Sequence, residues 1–390
     1  MRSCDPSKLH SKVTPLLLQV YVRSMPMIDP FARNRLGGTL LENRFVRSAT
    51  FEGMAAEDGS CTDALVELYT GLSRGGVGLI ITGHAFVEPR GRASPRQIGI
   101  HRDDLVVGLQ KLTDSVHDQG SKIVLQLAHA GNFARCESPR NVFSTQSRGD
   151  STTEELTEVK SCFIAAAQRA RLGGFDGVQL HAAHGYFLSQ FLSPATNQRQ
   201  DAYGVDAEGR GRFLCEIIEE MRSSLGQSFP IMVKINCEDF IENGLSLEDS
   251  VRTCLLLAEK GIDAIELSGG LLTDKRLGPS RTGIDSADRE AYFQKQARYF
   301  KKCVALPLIL VGGIRSYSTV QRLLAEGIAD YISMSRPLIC EPDLIKRWKN
   351  GNREKSRCDS DNRCLRTTLT GRGVYCVAKG RGRAIDNSLK

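Results

Sequence analysis

The stretch Gly173–Tyr186 reads GGFDGVQLHAAHGY. Gly173 and Gly174 stop a helix, because glycine takes the left-handed conformation at little cost. Val178-Gln179-Leu180 is a short apolar run bounded by turn signals, the pattern of a buried parallel strand. His181, His184 and Tyr186 then follow within a few positions of the strand's carboxyl end.

The same unit, an amphipathic helix, a glycine stop and an apolar run, recurs on both sides of this stretch. Strands are predicted at Phe45–Thr50, Val77–Thr82, Lys122–Leu127, Gly177–His181, Ile231–Asn236, Ala264–Ser268, Leu308–Val311 and Asp330–Met334. The intervening helices are expected near residues 62–74, 102–117, 153–172, 210–224, 247–260, 289–303, 318–325 and 343–348. Thr152 and Thr153 offer a cap for the third, with Glu155 as capping-box partner. Eight strand–helix units close most simply into a (β/α)8 TIM barrel. A doubly wound sheet would carry a glycine-rich phosphate turn after its first strand, where this chain has Ser48-Ala49-Thr50-Phe51. The barrel is expected over residues 28–350, preceded by a disordered extension (1–27) and followed by a cysteine-containing tail (351–390). His84–Pro95 reads as a hairpin, and Asn132–Ser151 and Leu271–Asp288 as long loops shaping a pocket.

The formal charge of +7 is spread along the chain with no Lys/Arg block interleaved with aromatics, so no nucleic-acid partner is expected. No run approaches the roughly 18 apolar residues of a membrane span. Most of the twelve cysteines are scattered, several within apolar patterns, which fits a reducing compartment and predicts a cytoplasmic protein. The basic residues of 1–27 also loosely fit an organelle presequence.

In a (β/α)8 barrel the site lies at the carboxyl ends of the strands. Gly312 and Gly313 there allow close backbone approach, and Arg336 adds a two-pronged cation, so the last two strand ends read as an anion site. The middle ends are polar but hold no Asp/Glu pair for glycoside chemistry. An HxxH without a nearby third ligand is a weak zinc signal, and no metal is expected. His181 and His184 alone could be structural, and Tyr186 a packed aromatic. Lys234, inside an apolar strand, is a Schiff-base nucleophile, a cation facing an anionic cofactor, or a paired structural lysine.

Several separated motifs, in order, resemble the Old Yellow Enzyme family of FMN-dependent NADH:flavin oxidoreductases. They include Asn43–Ala49, Gly75–Ile80, Gln126–Gly131, Gly174–Tyr186, Gln190–Pro194, Asp201–Gly204, Gly312–Arg315 and Arg336–Leu338. The resemblance implies a barrel holding FMN non-covalently. Ala49, Thr50 and Gly83 would line the flavin ring, Gln126 would bond its pyrimidine edge, and Lys234 would stand where the family usually has arginine. Gly312, Gly313, Ser335 and Arg336 would surround the phosphate. NADH or NADPH would be a transient reductant. His181 and His184 would grip the carbonyl oxygen of an enone-type small molecule, Tyr186 would protonate its α carbon, and Phe51 would face substrate. A homo-oligomer is compatible with the family.

The chain departs from the pattern in places. Phe51 falls at or near the position where many members place Cys or Thr. Cys358, Cys364 and Cys376 lie where longer relatives, the dienoyl-CoA reductase-like and trimethylamine dehydrogenase-like enzymes, bind a 4Fe–4S cluster, but Asp361 replaces a cysteine, so an intact iron–sulfur cluster is not expected. Other readings are an amine dehydrogenase or demethylase, an RNA-modifying flavin barrel, and a flavin-free lyase using Lys234.

Overall fold

A computed structural model describes residues 28–135 and 152–378. The expected extension 1–27, most of the loop Asn132–Ser151 and the end of the tail lie outside the described residues. Eight parallel strands close into a barrel. They are β1 (Phe45–Arg47), β2 (Leu79–Ile81), β3 (Lys122–Ala128), β4 (Val178–Ala182), β5 (Ile231–Asn236), β6 (Ala264–Ser268), β7 (Leu308–Leu310) and β8 (Tyr331–Met334). Each pairs in parallel with the next, and β8 pairs back onto β1 through Ile332↔Phe45. The predicted (β/α)8 class is the observed one.

The main helices are α1 (Asp63–Arg74), α2 (Val106–His117), α3 (Thr153–Leu172), α4 (Ala207–Leu225), α5 (Leu247–Glu259), α6 (Gln294–Cys303), α7 (Tyr317–Ala325) and α8 (Leu344–Lys349). The capping box at Thr152 and Glu155 is formed in both directions. Helix α4 starts three residues before the expected Arg210, because the Asp206 side chain accepts from the Gly209 N–H. Gly209 is required inside it: a Cβ there would stand 2.0 Å from the Gly204 carbonyl oxygen. Helix α6 starts at Gln294 rather than Arg289. Ala291, with φ +49, interrupts the helical path between them.

Two segments differ from expectation. The excursion after β2 is not a hairpin. Ala85–Phe86 pairs in parallel with Leu127–Ala128, followed by a 3-10 turn at Pro89–Gly91. Phe86 then exchanges backbone bonds with Ile98 and Ile100, so the two limbs run the same way. The hairpin lies elsewhere, at Asn34–Leu36 and Thr39–Leu41 around Gly37-Gly38.

The barrel interior changes character along its axis. At the amino end, the hairpin's Leu36 and Leu41 pack with Val46, Leu79, Ile81, Val124, Met232, Ala264, Ile309 and Tyr331. One strand pleat further on, inward positions turn polar, since side chains of one face recur every second residue. Met232 is followed by Lys234 and Asn236, and Ala264 by Glu266 and Ser268, in register across β5 and β6. The apolar layer is thus a floor, and the polar layers above it form the base of a cavity at the carboxyl ends.

Candidate active site

That cavity has a volume of about 190 Å³ and is walled by Ser48, Ala49, Thr50, Phe51, His84, Gln126, His181, His184, Tyr186, Lys234, Ser268 and Ser335, among others. Its base is one buried network. The Glu266 carboxylate, fully shielded from solvent, accepts from Ser48 Oγ at 2.7 Å and Ser333 Oγ at 2.8 Å on Oε1. Its Oε2 accepts from Gln179 Nε2 at 2.9 Å and faces Lys234 Nζ at 3.3 Å. Lys234 also donates to Ser48 Oγ at 2.8 Å. Of the ammonium's three donors, two are engaged and one is left for a ligand. Gln126 donates to Gln179 Oε1 at 2.7 Å. The three readings of Lys234 therefore narrow: it is a paired, buried cation at the cavity wall rather than an amine free for nucleophilic attack.

The roof comes from the turn after β4. His184 has φ +66 and Gly185 φ +85, a left-handed pair that reverses the chain at a cost of roughly 1–3 kcal/mol for the non-glycine residue. Asn236 Oδ1 holds the turn by accepting the His184 N–H at 3.1 Å, and Asp239 orients Asn236. The turn brings three rings together. His181 lies 4.6 Å from Tyr186 and 5.2 Å from His184 between ring centroids. Tyr186 then leads into the buried helix Phe187–Leu192, which is anchored by stacking of Phe191 on Phe213.

Burial holds both imidazoles neutral. It drives the His181 and His184 pKa values well below the ordinary range, with Lys234 and neighbouring imidazoles adding to the effect. His184 Nε2 sits 2.7 Å from Ser268 Oγ, whereas His181 Nδ1 is buried with no hydrogen-bond partner. Burial also pushes the Tyr186 phenol up to about 12.

A smaller cavity, about 40 Å³, adjoins the first and shares Pro279, Ser280, Val311 and Ser335 with it. Gly313, Ile314, Arg315 and Arg336 are among its other wall residues. Gly313 has φ +74, and a Cβ there would meet the Tyr292 ring at 2.8 Å. Arg336 Nη1 is anchored by the Arg281 carbonyl and Asn362 Oδ1, each at 2.7 Å. Gly312 lies beside this wall, its Cβ direction blocked by Phe293 and Tyr292.

The sequence-derived candidates therefore converge, with exceptions, of which Gly312, beside the small cavity but not in its wall, is one. Gly83 lies behind the wall: its N–H donates to Glu52 Oε1 and Tyr69 Oη, and His84 lines the cavity instead. His129, also at a strand end, turns away to Glu88 at 3.0 Å. The sequence reading leaves out Glu266 and gives His84, at the end of the second strand beside Gly83, no role. Glu266 was visible as the only acid of an otherwise uncharged strand, in register with Lys234. Leu365, from the tail, also lines the cavity. Cys358, Cys364, Cys376, Asp359 and Asp361 wall a narrow cleft beside Arg336. Among the described residues no three or more His, Cys, Asp or Glu side chains are arranged to hold a metal ion, and no helix is long and apolar enough to cross a membrane.

Comparison with known proteins adds a family and a fold. The family described as NADH:flavin oxidoreductase / NADH oxidase matches residues 30–355. An NADH oxidase of Thermoanaerobacter brockii is 33% identical over 90% of this chain, which spans 57% of that protein's length. A 4,4'-dithiodibutanoate disulfide reductase of Rhodococcus erythropolis is 30% identical over 91% of this chain and 96% of its own. The solved structure of an old yellow enzyme homologue from Zymomonas mobilis superposes with a TM-score of 0.70 at 25% identity, covering 85% of this chain and 96% of that one.

Proposed function

Because the chain belongs to the NADH:flavin oxidoreductase / NADH oxidase family, we propose that it is an FMN-dependent enzyme that uses NAD(P)H to reduce the activated C=C bond of an α,β-unsaturated carbonyl compound. The observation that carries this reading is the buried, unpartnered Nδ1 of His181 beside His184 and Tyr186, in a cavity that also holds a buried cation. A polar atom buried without a partner costs about 1–3 kcal/mol, and a ligand oxygen in the cavity would satisfy it.

The residues present fit the cofactor. Gln126, Lys234, Ala49 and Thr50 would contact the isoalloxazine ring, with Lys234 offering its remaining donor to the pyrimidine edge. Gly313, Ser335 and Arg336 would hold the phosphate, in the small cavity they line. When bound and reduced by NAD(P)H, FMN supplies a hydride. His181 and His184, as neutral rings, would donate N–H bonds to the substrate's carbonyl oxygen and stabilise the negative charge that develops there. For His184 to donate from Nδ1, its Nε2 accepts the Ser268 hydroxyl proton. Tyr186 would give its phenolic proton to the carbon α to the carbonyl.

Two measurements test this. Purified protein should carry or take up FMN and show its absorbance; a colourless protein with no affinity for FMN ends the proposal. Tyr186→Phe should slow alkene reduction by about two orders of magnitude while flavin reduction by NADPH is far less affected. Equal losses in the two half-reactions would remove Tyr186 from the role.

A further inference from the structure

His84 sits against the proton donor and has no part in the reading above. Its ring stacks on Phe51, at 5.4 Å and 8°, and its Nε2 lies 3.3 Å from Tyr186 Oη. Which ring nitrogen carries the proton follows from Gln97. Gln97 Oε1 accepts the backbone N–H groups of Ala93 at 2.8 Å and Ser94 at 3.4 Å. Only its Nε2 is then left to face His84, and it donates to Nδ1 at 2.7 Å and to the His84 carbonyl at 3.1 Å. His84 Nδ1 is therefore the acceptor. Burial keeps the ring neutral, with its pKa pushed down to about 4, so its one proton resides on Nε2.

We propose that His84 is a positioning residue for the proton donor: as the Nε2–H tautomer it donates to Tyr186 Oη, which turns the phenol's own proton toward the substrate and holds the phenolate left after transfer. The inference rests on the proposed role of Tyr186. In the step itself the Tyr186 O–H bond breaks and a C–H bond forms at the α carbon. The electron pair for that bond comes from the enolate, and the negative charge passes to the phenolate oxygen. A donor to that oxygen favours the charged form, against the burial that otherwise disfavours it. Solvent then returns the proton.

The relay Ala93/Ser94–Gln97–His84–Tyr186 makes the tautomer a built feature. The chain reaches it through the excursion after β2, where residues 84–86 and 96–100 run alongside each other. His84 thus joins the two limbs of that excursion to the roof of the cavity.

The test uses the FMN-loaded enzyme. Nitrogen-15 NMR of labelled protein should show His84 protonated on Nε2 alone, with the signals assigned by their loss in His84→Leu. Protonation on Nδ1 alone would overturn the proposal. Protein labelled with tetrafluorotyrosine, whose ring fluorines bring the phenol's ionisation down into the range where the protein stays folded, reports that ionisation through its fluorine signal, with residue 186 assigned through Tyr186→Phe. His84→Leu should raise that pKa by about one to two units, the effect of losing one hydrogen bond to a charged oxygen. His84→Gln, whose amide nitrogen can replace Nε2, should restore most of it. Alkene reduction should slow about tenfold to a hundredfold in His84→Leu, with an enlarged solvent isotope effect, and recover in His84→Gln. An unchanged phenol pKa in His84→Leu would refute the role. If the wild type reduces no enone, the proposed function falls, while the tautomer and the phenol titration still decide the contact.

Discussion

The Lys234–Glu266 pair should couple strongly, because neither charge has water to turn to. Glu266 is fully shielded and Lys234 nearly so. Replacing Lys234 by Met leaves a buried carboxylate with three neutral donors, from Ser48, Ser333 and Gln179. Replacing Glu266 by Gln leaves a buried ammonium whose remaining partner in the network is Ser48. Breaking a buried pair from one side costs about 3–5 kcal/mol, whereas removing both charges is often close to neutral. Each single variant should therefore lose about 3 kcal/mol or more, and Lys234→Met/Glu266→Gln should lose clearly less than the two together. Urea unfolding followed by far-UV circular dichroism measures this. It should be run without FMN and with FMN in saturating excess, since a weakened ligand would by itself lower apparent stability. Additive losses, or single variants within about 1 kcal/mol of wild type, would show that the two charges do not depend on each other and would refute the network as drawn.

Arg336→Met should weaken FMN binding by roughly tenfold to a hundredfold, the worth of a charge-assisted hydrogen bond, with far-UV circular dichroism unchanged; flavin fluorescence titration reads it, and unaltered affinity would remove Arg336 from the phosphate site. Acid should destabilise the protein through His84. Its folded pKa lies near 4 against 6.5 for the free ring, so its contribution is fully present above about pH 6.5 and is lost as pH falls toward 4. The loss is about 3 kcal/mol, and His84→Leu should show an acid limb shallower by that amount in urea unfolding at stepped pH.

Much of this site was legible in the sequence, for identifiable reasons. The strands β5 and β6 stand at their expected bounds because β-branched and apolar runs between glycine and loop signals leave few alternatives. The capping box at Thr152 was readable because both partners are local. Residues whose role is set by tertiary placement were harder. The resemblance puts Gly83 against the flavin ring, yet its N–H belongs to Glu52 and Tyr69, and the neighbouring His84 faces the cavity. Nothing local to Gly-His-Ala says which of two adjacent residues points inward; the parallel pairing of Ala85–Phe86 decides it. Glu266 does not stand at a strand end: the pleat places it one layer below, in register with Lys234. The hairpin at residues 34–41 carried a Gly-Gly turn signal, but its strands are too short to stand out by alternation.

The buried cation at the base of the cavity accounts for a roof built from imidazoles rather than stronger donors. On the proposed chemistry, the carbonyl oxygen gains negative charge and must be held without being protonated too early. An imidazolium or a guanidinium would hold it more tightly, but the first would also give up its proton, and either would repel Lys234 across a cavity of about 190 Å³. Burial solves both problems by keeping His181 and His184 neutral. Each then offers an N–H with little tendency to lose it. On the same proposal the transferable proton is left to Tyr186, whose raised pKa makes it a reluctant acid. Its release then depends on two things arriving together: a basic carbon at the substrate, and a donor, His84 Nε2–H, already aimed at the oxygen that will carry the charge.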